Sequence, residues 1–222
     1  ILDSDWSSDV CSSDLTTFED AGCFTGFSVR EEGNNVVVTA NYKLGCFDQA
    51  VWTISPDGTA AIDFTYNFSG VVDLMGVMFD YPEDKVLSKR WVGDGPYRVW
   101  QNRLHGPQLG VWENEYNDPI PAESFTYPEF KGYFANVQWM TLETQEGMIS
   151  ICNRTPQNYV GVYQPRDGRD GLLYTFPVTG ISLMKVIPPV RNKVNTTDLI
   201  GPSSQAFWAD GEYGGGITLK FE

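Results

Sequence analysis

Histidine is almost absent from this chain of 222 residues, in which His105 is the only one. One imidazole cannot build a histidine metal site, and no G-x-S-x-G motif accompanies it as a serine hydrolase would require. We therefore expect His105 to be a surface hydrogen-bonding group. No cofactor is predicted. A structural Ca²⁺, Mg²⁺ or Na⁺ ion on carboxylates and carbonyls is left open, although there is no EF-hand-type loop to favour it.

Long apolar runs and positive charge are also scarce. No stretch is long and apolar enough to span a bilayer, and the first residues lack the basic start and apolar centre of a secretory signal. Lysine and arginine number 15 against 29 acidic residues, which gives a net charge of −14. Because such a chain repels nucleic acid and anionic lipid, neither nucleic acid nor a membrane is expected as a partner.

Cysteine is uncommon too, with four residues in the chain. Cys23, Cys46 and Cys152 follow no C-x-x-C spacing, which argues against a zinc site and against a secreted disulfide framework. A Cys23–Cys46 disulfide is one alternative. Reduced, buried thiols are the alternative that we favour.

The amino-terminal segment has an unusual composition. Residues 5–15, DWSSDVCSSDL, back-translate codon by codon into a string that resembles a common sequencing adapter. We interpret residues 1–15 as an assembly or cloning scar, with an ordinary Ser/Asp-rich tail as the alternative. Residues 16–222 are expected to form a single domain of a longer protein. The compartment of that protein, periplasm or cytoplasm, is left open.

Apolar and polar residues alternate along most of the chain, as they do in strands with one buried face. Residues 55–58, Ser-Pro-Asp-Gly, are a predicted turn between two such segments. No segment keeps a helical apolar stripe over ten residues. The pattern predicts an all-β fold, a large sandwich of two antiparallel sheets. The predicted strands are 36–44, 60–68, 75–81, 86–91, 132–144, 148–152, 172–176, 180–186 and 217–221, and the predicted long loops are 107–127 and 188–208.

The segment 91–103, WVGDGPYRVWQNR, combines a restricted backbone with side chains that suit ligands. Pro96 has a fixed φ and biases Gly95 toward an extended conformation. Forked arginine donors and flat aromatic rings bind sugars, or they lock neighbouring loops. A structural corner whose arginines pair with nearby carboxylates is the alternative.

Two segments carry a family resemblance. Residues 90–103, RWVGDGPYRVWQNR, resemble the W-x-G-x-G-P-x-E-x-Y-x-D-R signature in the last domain of β-galactosidases of glycoside hydrolase family 2. Arg98 stands where the family usually has Glu, and Asn102-Arg103 replaces Asp-Arg. Residues 127–144, YPEFKGYFANVQWMTLET, resemble that domain's Y-x-x-P-Q-E-x-G-x-R-x-x-x-x-W-x-x-L segment. The residues in matching order are Tyr127, Pro128, Glu129, Gly132, Trp139 and Leu142.

The resemblance implies a supersandwich similar to galactose mutarotases, packed against a catalytic (β/α)₈ barrel. This chain has no alternating β–α pattern, so the barrel and its two catalytic carboxylates are expected elsewhere in the parent enzyme. The parent would hydrolyse terminal β-linked sugars with retention of configuration. The domain itself would shape one wall of the sugar site without a catalytic residue. Its implied partners are carbohydrate and the other domains of the parent enzyme.

Sugar rings stack on aromatic side chains while polar neighbours bind the hydroxyls. The candidates for carbohydrate or interdomain contact are Tyr97, Arg98, Trp100, Asn102, Trp112, Gln205 and Trp208. Core packing is the alternative for each aromatic. The residues interpreted as the structural part of the motif are Asp94, Gly95, Pro96, Arg103 and Glu129. By analogy with the family, Arg103 is expected to pair with Glu129 or Asp94.

Other functions are left open. Glu113 and Glu115 would share one face of a strand and resemble the paired acids of β-jelly-roll glucanases, although the longer E-x-D-x-x-E pattern is absent. Solvated loop acids are the alternative for this pair. For the whole chain, the alternatives are a stand-alone carbohydrate-binding module and a purely structural domain for interdomain or oligomer contacts.

Overall fold

The structure is a computed structural model that describes residues 23–43, 45–72, 74–79, 81, 85–115, 132–162, 181–188 and 207–222. In these ranges no helix has the length and apolar character needed to cross a membrane. The strands are β1 (Cys23–Glu32), β2 (Asn35–Lys43), β3 (Phe47–Ile54), β4 (Thr59–Val72), β5 (Met75–Phe79), β6 (Val86–Gly95), β7 (Gln108–Glu115), β8 (Trp139–Thr144), β9 (Gly147–Asn153), β10 (Tyr159–Val162), β11 (Ile181–Val186) and β12 (Phe207–Phe221).

The strands form two antiparallel sheets. The large sheet has nine strands in the order β1-β2-β3-β4-β12-β9-β8-β6-β7, and the small sheet has three in the order β10-β11-β5. Each described pairing between strands is antiparallel. The all-β sandwich predicted from the alternation is therefore confirmed.

Strands with regular alternation were predicted from the sequence, and strands with irregular segments were not. The strands β2, β4, β5, β6, β9 and β11 lie where the pattern predicts them. In β1 the pattern is broken by a register shift between Phe24 and Gly26, and in β3 by one between Phe47 and Gln49. Neither strand was predicted, nor was the four-residue β10. The predicted strand 172–176 lies outside the described residues.

Strand β7 corrects the prediction of a long loop at 107–127. Its polar residues lie on an exposed strand at the edge of the large sheet, where, among the described residues, it pairs on one side alone, with β6. Such a strand lacks the buried apolar face that produces clear alternation. The predicted strand 132–144 is correct only in its second half, since residues 133 and 134 form single bridges.

The strand β12 begins at Phe207, well before the predicted strand 217–221, and glycines explain why the sequence pattern missed its first part. A Cβ atom on Gly214 would lie 2.6 Å from the carbonyl oxygen of Phe64, and one on Gly215 would lie 2.7 Å from the ring of Phe64. A Cβ atom on Gly216 would lie 2.8 Å from Asp63 Oδ1. The three glycines interrupt the alternation because the paired strand β4 fills the space that side chains would need.

The predicted turn between β3 and β4 is present. The backbone amide of Gly58 donates to the carbonyl of Ser55 at 3.0 Å, and Gly58 has a φ of 84°. The amide of Thr59 donates to Asp57 Oδ1 at 3.1 Å, and this hydrogen bond lowers the pKa of Asp57. The turn residues act as their chemistry predicts: glycine takes the left-handed position and aspartate accepts from the backbone.

The main core lies between the two sheets. The large sheet contributes buried side chains from β3, β4, β6, β8, β9 and β12, and the small sheet contributes side chains from all three of its strands. The largest fully buried residues here include Trp91, Tyr66 and Phe134. Burial of this continuous apolar layer is the main stabilising term of the sandwich.

A second core cluster lies on the small sheet. Leu183 of β11 belongs to the main core, whereas its neighbour Met184 belongs to the second cluster with Val99 and Tyr133. Because successive strand residues face opposite ways, the second cluster covers the other face of the small sheet. Tyr159 packs against this cluster, and its burial raises the pKa of its hydroxyl. The segment that contains Val99 thus belongs to the interior.

Candidate functional site

The motif segment begins inside β6, at Trp91. Trp91 is fully buried, and its indole Nε1 donates to the carbonyl oxygen of Asp94 at 3.0 Å. Its ring meets the Phe134 ring edge-on, with centroids 4.7 Å apart and an interplanar angle of 62°. Trp91 therefore connects the backbone at Asp94 to the core residue Phe134.

Trp112 of β7 holds the glycines of the motif. Its Nε1 donates to the carbonyls of Gly93 at 3.2 Å and Gln108 at 3.1 Å. A Cβ atom on Gly95 would lie 2.5 Å from Trp112 Cδ1, so only glycine fits beneath the indole. Trp112 is half-buried and packs against the main core. Core packing, the alternative kept open for each aromatic, describes this residue.

Asp94 links the loop to the segment before β8. Its Oδ2 accepts from Asn136 Nδ2 at 2.7 Å, and its backbone amide donates to the carbonyl of Ala135 at 2.9 Å. The peptide bond between Gly95 and Pro96 is cis. Within the described residues no ion pair joins Arg103 to Asp94. The other predicted partner, Glu129, lies outside them.

The middle of the loop extends the small sheet. Val99 and Tyr133 exchange two backbone hydrogen bonds, of 2.7 and 2.9 Å, and Phe134 bridges to Val160 of β10. Trp100 is 2% exposed and packs edge-on against Tyr133. At this exposure its ring has no face open to a sugar, so packing is again the role that the structure supports.

Two buried cations lie against the ring of Phe134. Arg98 is 8% exposed, and its Cζ lies 4.9 Å from the ring centroid. Lys89 of β6 is 1% exposed, and its Nζ lies 5.9 Å from the same centroid. Buried cations at such distances are attracted by the ring quadrupole. The buried lysine had no signal in the sequence beyond its place among inward-facing residues of a strand.

The outer side of the loop contains the exposed candidates. Tyr97 is 52% exposed, Arg103 and His105 are exposed, and Asn102 is half-buried. Arg98, a predicted contact residue, is therefore buried, and Arg103, a predicted structural residue, is at the surface. Their roles stay predictions. The exposed position of His105 agrees with the expectation of a surface group.

Trp208 lies on the part of β12 that pairs with the end of β4. It is opposite Val71 in the ladder and is 67% exposed. No described contact joins it to the loop around Tyr97. Gln205, the other candidate from this region, lies outside the described residues.

Glu113 and Glu115 lie on one face of β7, as a strand there would require. Both side chains are exposed, which suits solvated acids. Among the described residues, no group of three or more His, Cys, Asp or Glu side chains could hold a metal ion. The absence of a cofactor, with a structural ion left open, stays a prediction.

The cysteines differ from the expectation of buried thiols in one case. Cys46 is partly buried against the main core, whereas Cys152 is exposed on β9 opposite Trp139. The side chain of Cys23 lies outside the described part of the chain. A disulfide between Cys23 and Cys46 therefore remains an open alternative.

We predict that Gly132→Ala destabilises the fold more than Gly33→Ala. Both glycines have φ near 60° (57° and 63°), so both substitutions carry a left-handed strain of about 1–2 kcal/mol. A Cβ atom on Gly132 would also lie 2.7 Å from the carbonyl oxygen of Val99, whereas one on Gly33 meets open space. Urea denaturation measures both free energies of unfolding, and equal losses would contradict the close approach of the loop.

We also predict that Arg98→Ala lowers the free energy of unfolding by about 2–4 kcal/mol, because its buried stem and guanidinium pack on Phe134. Arg103→Ala should change it by less than about 0.5 kcal/mol, because that side chain is exposed. This order is the reverse of the one that the family resemblance suggests. Thermal or urea unfolding of the two variants decides it, and a larger loss for Arg103→Ala would restore the earlier assignment.

Comparison with known proteins agrees with the family resemblance of the motifs. The family model described as beta galactosidase small chain matches residues 3–181. This match confirms the resemblance noted in the sequence. It begins inside residues 1–15, for which an adapter origin stays a prediction.

Among solved structures, the GalM/aldose epimerase homologue from C. elegans is similar at 10% identity with a TM-score of 0.35, over 88% of this chain and 68% of that one. No curated protein matches the chain. Because the family match spans most of its 222 residues, this protein belongs to the β-galactosidase small-chain family.

Proposed function

We propose that this chain is an accessory domain of a β-galactosidase-like glycoside hydrolase, which packs on a catalytic barrel and shapes one wall of its sugar site. The observation that supports this most is the two-sided construction of the loop 96–103. Its inward residues Arg98, Val99 and Trp100 are buried, while Tyr97 and Arg103 are exposed. A loop whose inward side chains are packed in the interior presents a rigid outer surface to a ligand or to another domain.

The chemistry of such a wall is binding and orientation. An exposed tyrosine ring such as that of Tyr97 covers the apolar face of a pyranose, and the guanidinium of Arg103 and the amide of Asn102 bind its hydroxyls. Preordered groups of this kind lose little conformational entropy when sugar binds. On this proposal Trp208 and Gln205 belong to the same wall or to the contact with the barrel.

The bond-breaking step is assigned to the barrel. Glycoside hydrolysis needs two carboxyl groups that flank the scissile bond. Asp94 is bound to Asn136 as part of the loop structure, and Glu113 and Glu115 are exposed on an edge strand. These positions support structural and surface roles for the acids of this region.

A carbohydrate-binding module is the second candidate. It is favoured by the exposure of Trp208 and Tyr97, since modules of that kind present flat rings to a polysaccharide. A purely structural domain would use the same exposed residues for protein contacts alone.

The purified chain is expected to leave a chromogenic β-galactoside and a β-glucan unhydrolysed, because the proposal places both catalytic carboxyls on the barrel. Release of the chromophore is measured beside a Glu113→Gln variant prepared in parallel as a control for contaminating hydrolase. Turnover by the wild-type chain that disappears in Glu113→Gln would contradict the accessory role and support catalysis by the β7 acids.

Titration calorimetry with galactose, lactose and plant glycans separates the wall from the module. For a wall without its barrel, we expect dissociation constants weaker than about 1 mM, since most polar contacts to the sugar are missing. Tighter binding that is lost in Trp208→Ala or Tyr97→Ala, but kept in the matched exposed variant Phe27→Ala, would establish a module instead.

A further inference from the structure

An apolar row crosses the outer face of the large sheet, on the side away from the main core. The strand register places Val111 of β7, Val92 of β6, Trp139 of β8 and Cys152 of β9 side by side. Trp139 is 37% exposed, Val111 is more than half exposed, and Leu109, two residues along β7, is 70% exposed. Four adjacent strands thus present a continuous apolar surface to solvent. We call these residues, together with Leu109, the outer row.

Trp139 is a large aromatic residue of this row that is not buried in the core. It belongs to the family-like segment 127–144, and its motif partner Leu142 is fully buried in the main core. Trp139 faces the opposite way from the buried Met140 that follows it. An exposed tryptophan within an apolar row is typical of the centre of a protein–protein contact.

Carboxylates border the outer row. Glu113 and Glu115 of β7 and Glu143 of β8 lie on the same face as the row, where Arg90 is the neighbouring cation. The hydroxyl of Ser88 donates to Glu143 Oε2 at 2.8 Å. Between Glu113 and Glu143 lies a depression of about 480 Å³, whose lining includes the cations Lys89 and Arg90 beside these two acids. The ammonium group of Lys89 is turned inward, over the Phe134 ring, so Arg90 is the cation that faces outward beside the glutamates. An acidic rim beside an apolar centre suits a partner with basic side chains.

We propose that the outer row and its acidic depression are the docking face for another domain of the parent enzyme. The partner places apolar side chains on Trp139 and Val111, and it inserts a lysine or arginine between Glu113 and Glu143. This inference rests on the proposed function. Charge complementarity selects the partner: a second copy of this chain, at a net charge of −14, would bring another acidic rim against the first.

A second exposed apolar surface provides the control. Phe24 and Phe27 of β1 are more than half exposed, with ring centroids 6.4 Å apart. They lie at the opposite edge of the large sheet from β7. Glu31 and Glu32 lie nearby on β1 and are exposed. This surface matches the outer row in residue type and exposure but is remote from the acidic depression.

The test uses the full chain and the catalytic region of the same parent enzyme, produced as a separate polypeptide. Affinity is measured by calorimetry at low and at high salt. We expect Trp139→Ala and Leu109→Ala each to weaken binding, the former by about tenfold or more. The double variant Glu113→Gln/Glu143→Gln should weaken binding at low salt and flatten its salt dependence. Phe27→Ala and Glu31→Gln/Glu32→Gln should bind as the wild type does.

The outcomes separate the two proposals. If the wild-type chain does not bind the catalytic region, the accessory function fails, and the docking face fails with it. If the wild type binds but Leu109→Ala and the glutamate variants bind equally well, or Phe27→Ala abolishes binding, the docking face is wrong and the function stands. Thermal midpoints identify loss of fold in Trp139→Ala. Wild-type dimers that Leu109→Ala converts to monomers would assign the outer row to a second copy and overturn the proposal.

Discussion

Phe134 is the contact on which this architecture depends. Its fully buried ring receives Trp91 and Lys89 from the large sheet and Arg98 from the motif loop, and its backbone bridges to β10 of the small sheet. One side chain therefore joins both sheets and the loop. Since packed interiors leave little free space, a shift of any of these parts displaces the others. Packing on this ring therefore fixes the loop against the rigid sandwich.

The loop divides its side chains between two environments for the same reason. Backbone hydrogen bonds between Val99 and Tyr133 place residue 99 in an extended pairing, so its neighbours Arg98 and Trp100 turn toward other parts of the interior. Tyr97 lies before this pairing and is exposed. Arg103 lies beyond it, where its backbone bonds to that of Trp100, and its side chain is exposed as well. The acidic outer face of the large sheet is a separate surface, built on the strands themselves. The loop and the outer face of the sheet are therefore two separate surfaces of this chain.

Some features of the structure were predictable from the sequence, and others depend on contacts between the two sheets. The turn before β4 follows from local chemistry, and the sequence predicted it. The strand β6 was predicted too, but not which of its residues face inward, because a register shift between Val86 and Ser88 breaks its alternation. The role of Trp112 was not predictable, because its contact with Gly95 joins residues that are distant in the sequence. Motif comparison identified Arg98 and Arg103 as important without telling which is buried. Burial depends on how two sheets meet, and a linear motif does not contain that information.

The sequence by itself determined an all-β chain, the position of its motif loop and its β-galactosidase small-chain family, because alternation and motif order are local properties of the chain. Only the tertiary structure decided that Trp100 and Arg98 are interior, that β7 forms an edge strand, and that Trp139 faces solvent. The physical reason is that a strand can direct either face inward. The choice is made by the surface that packs against it, which comes from residues far away along the chain.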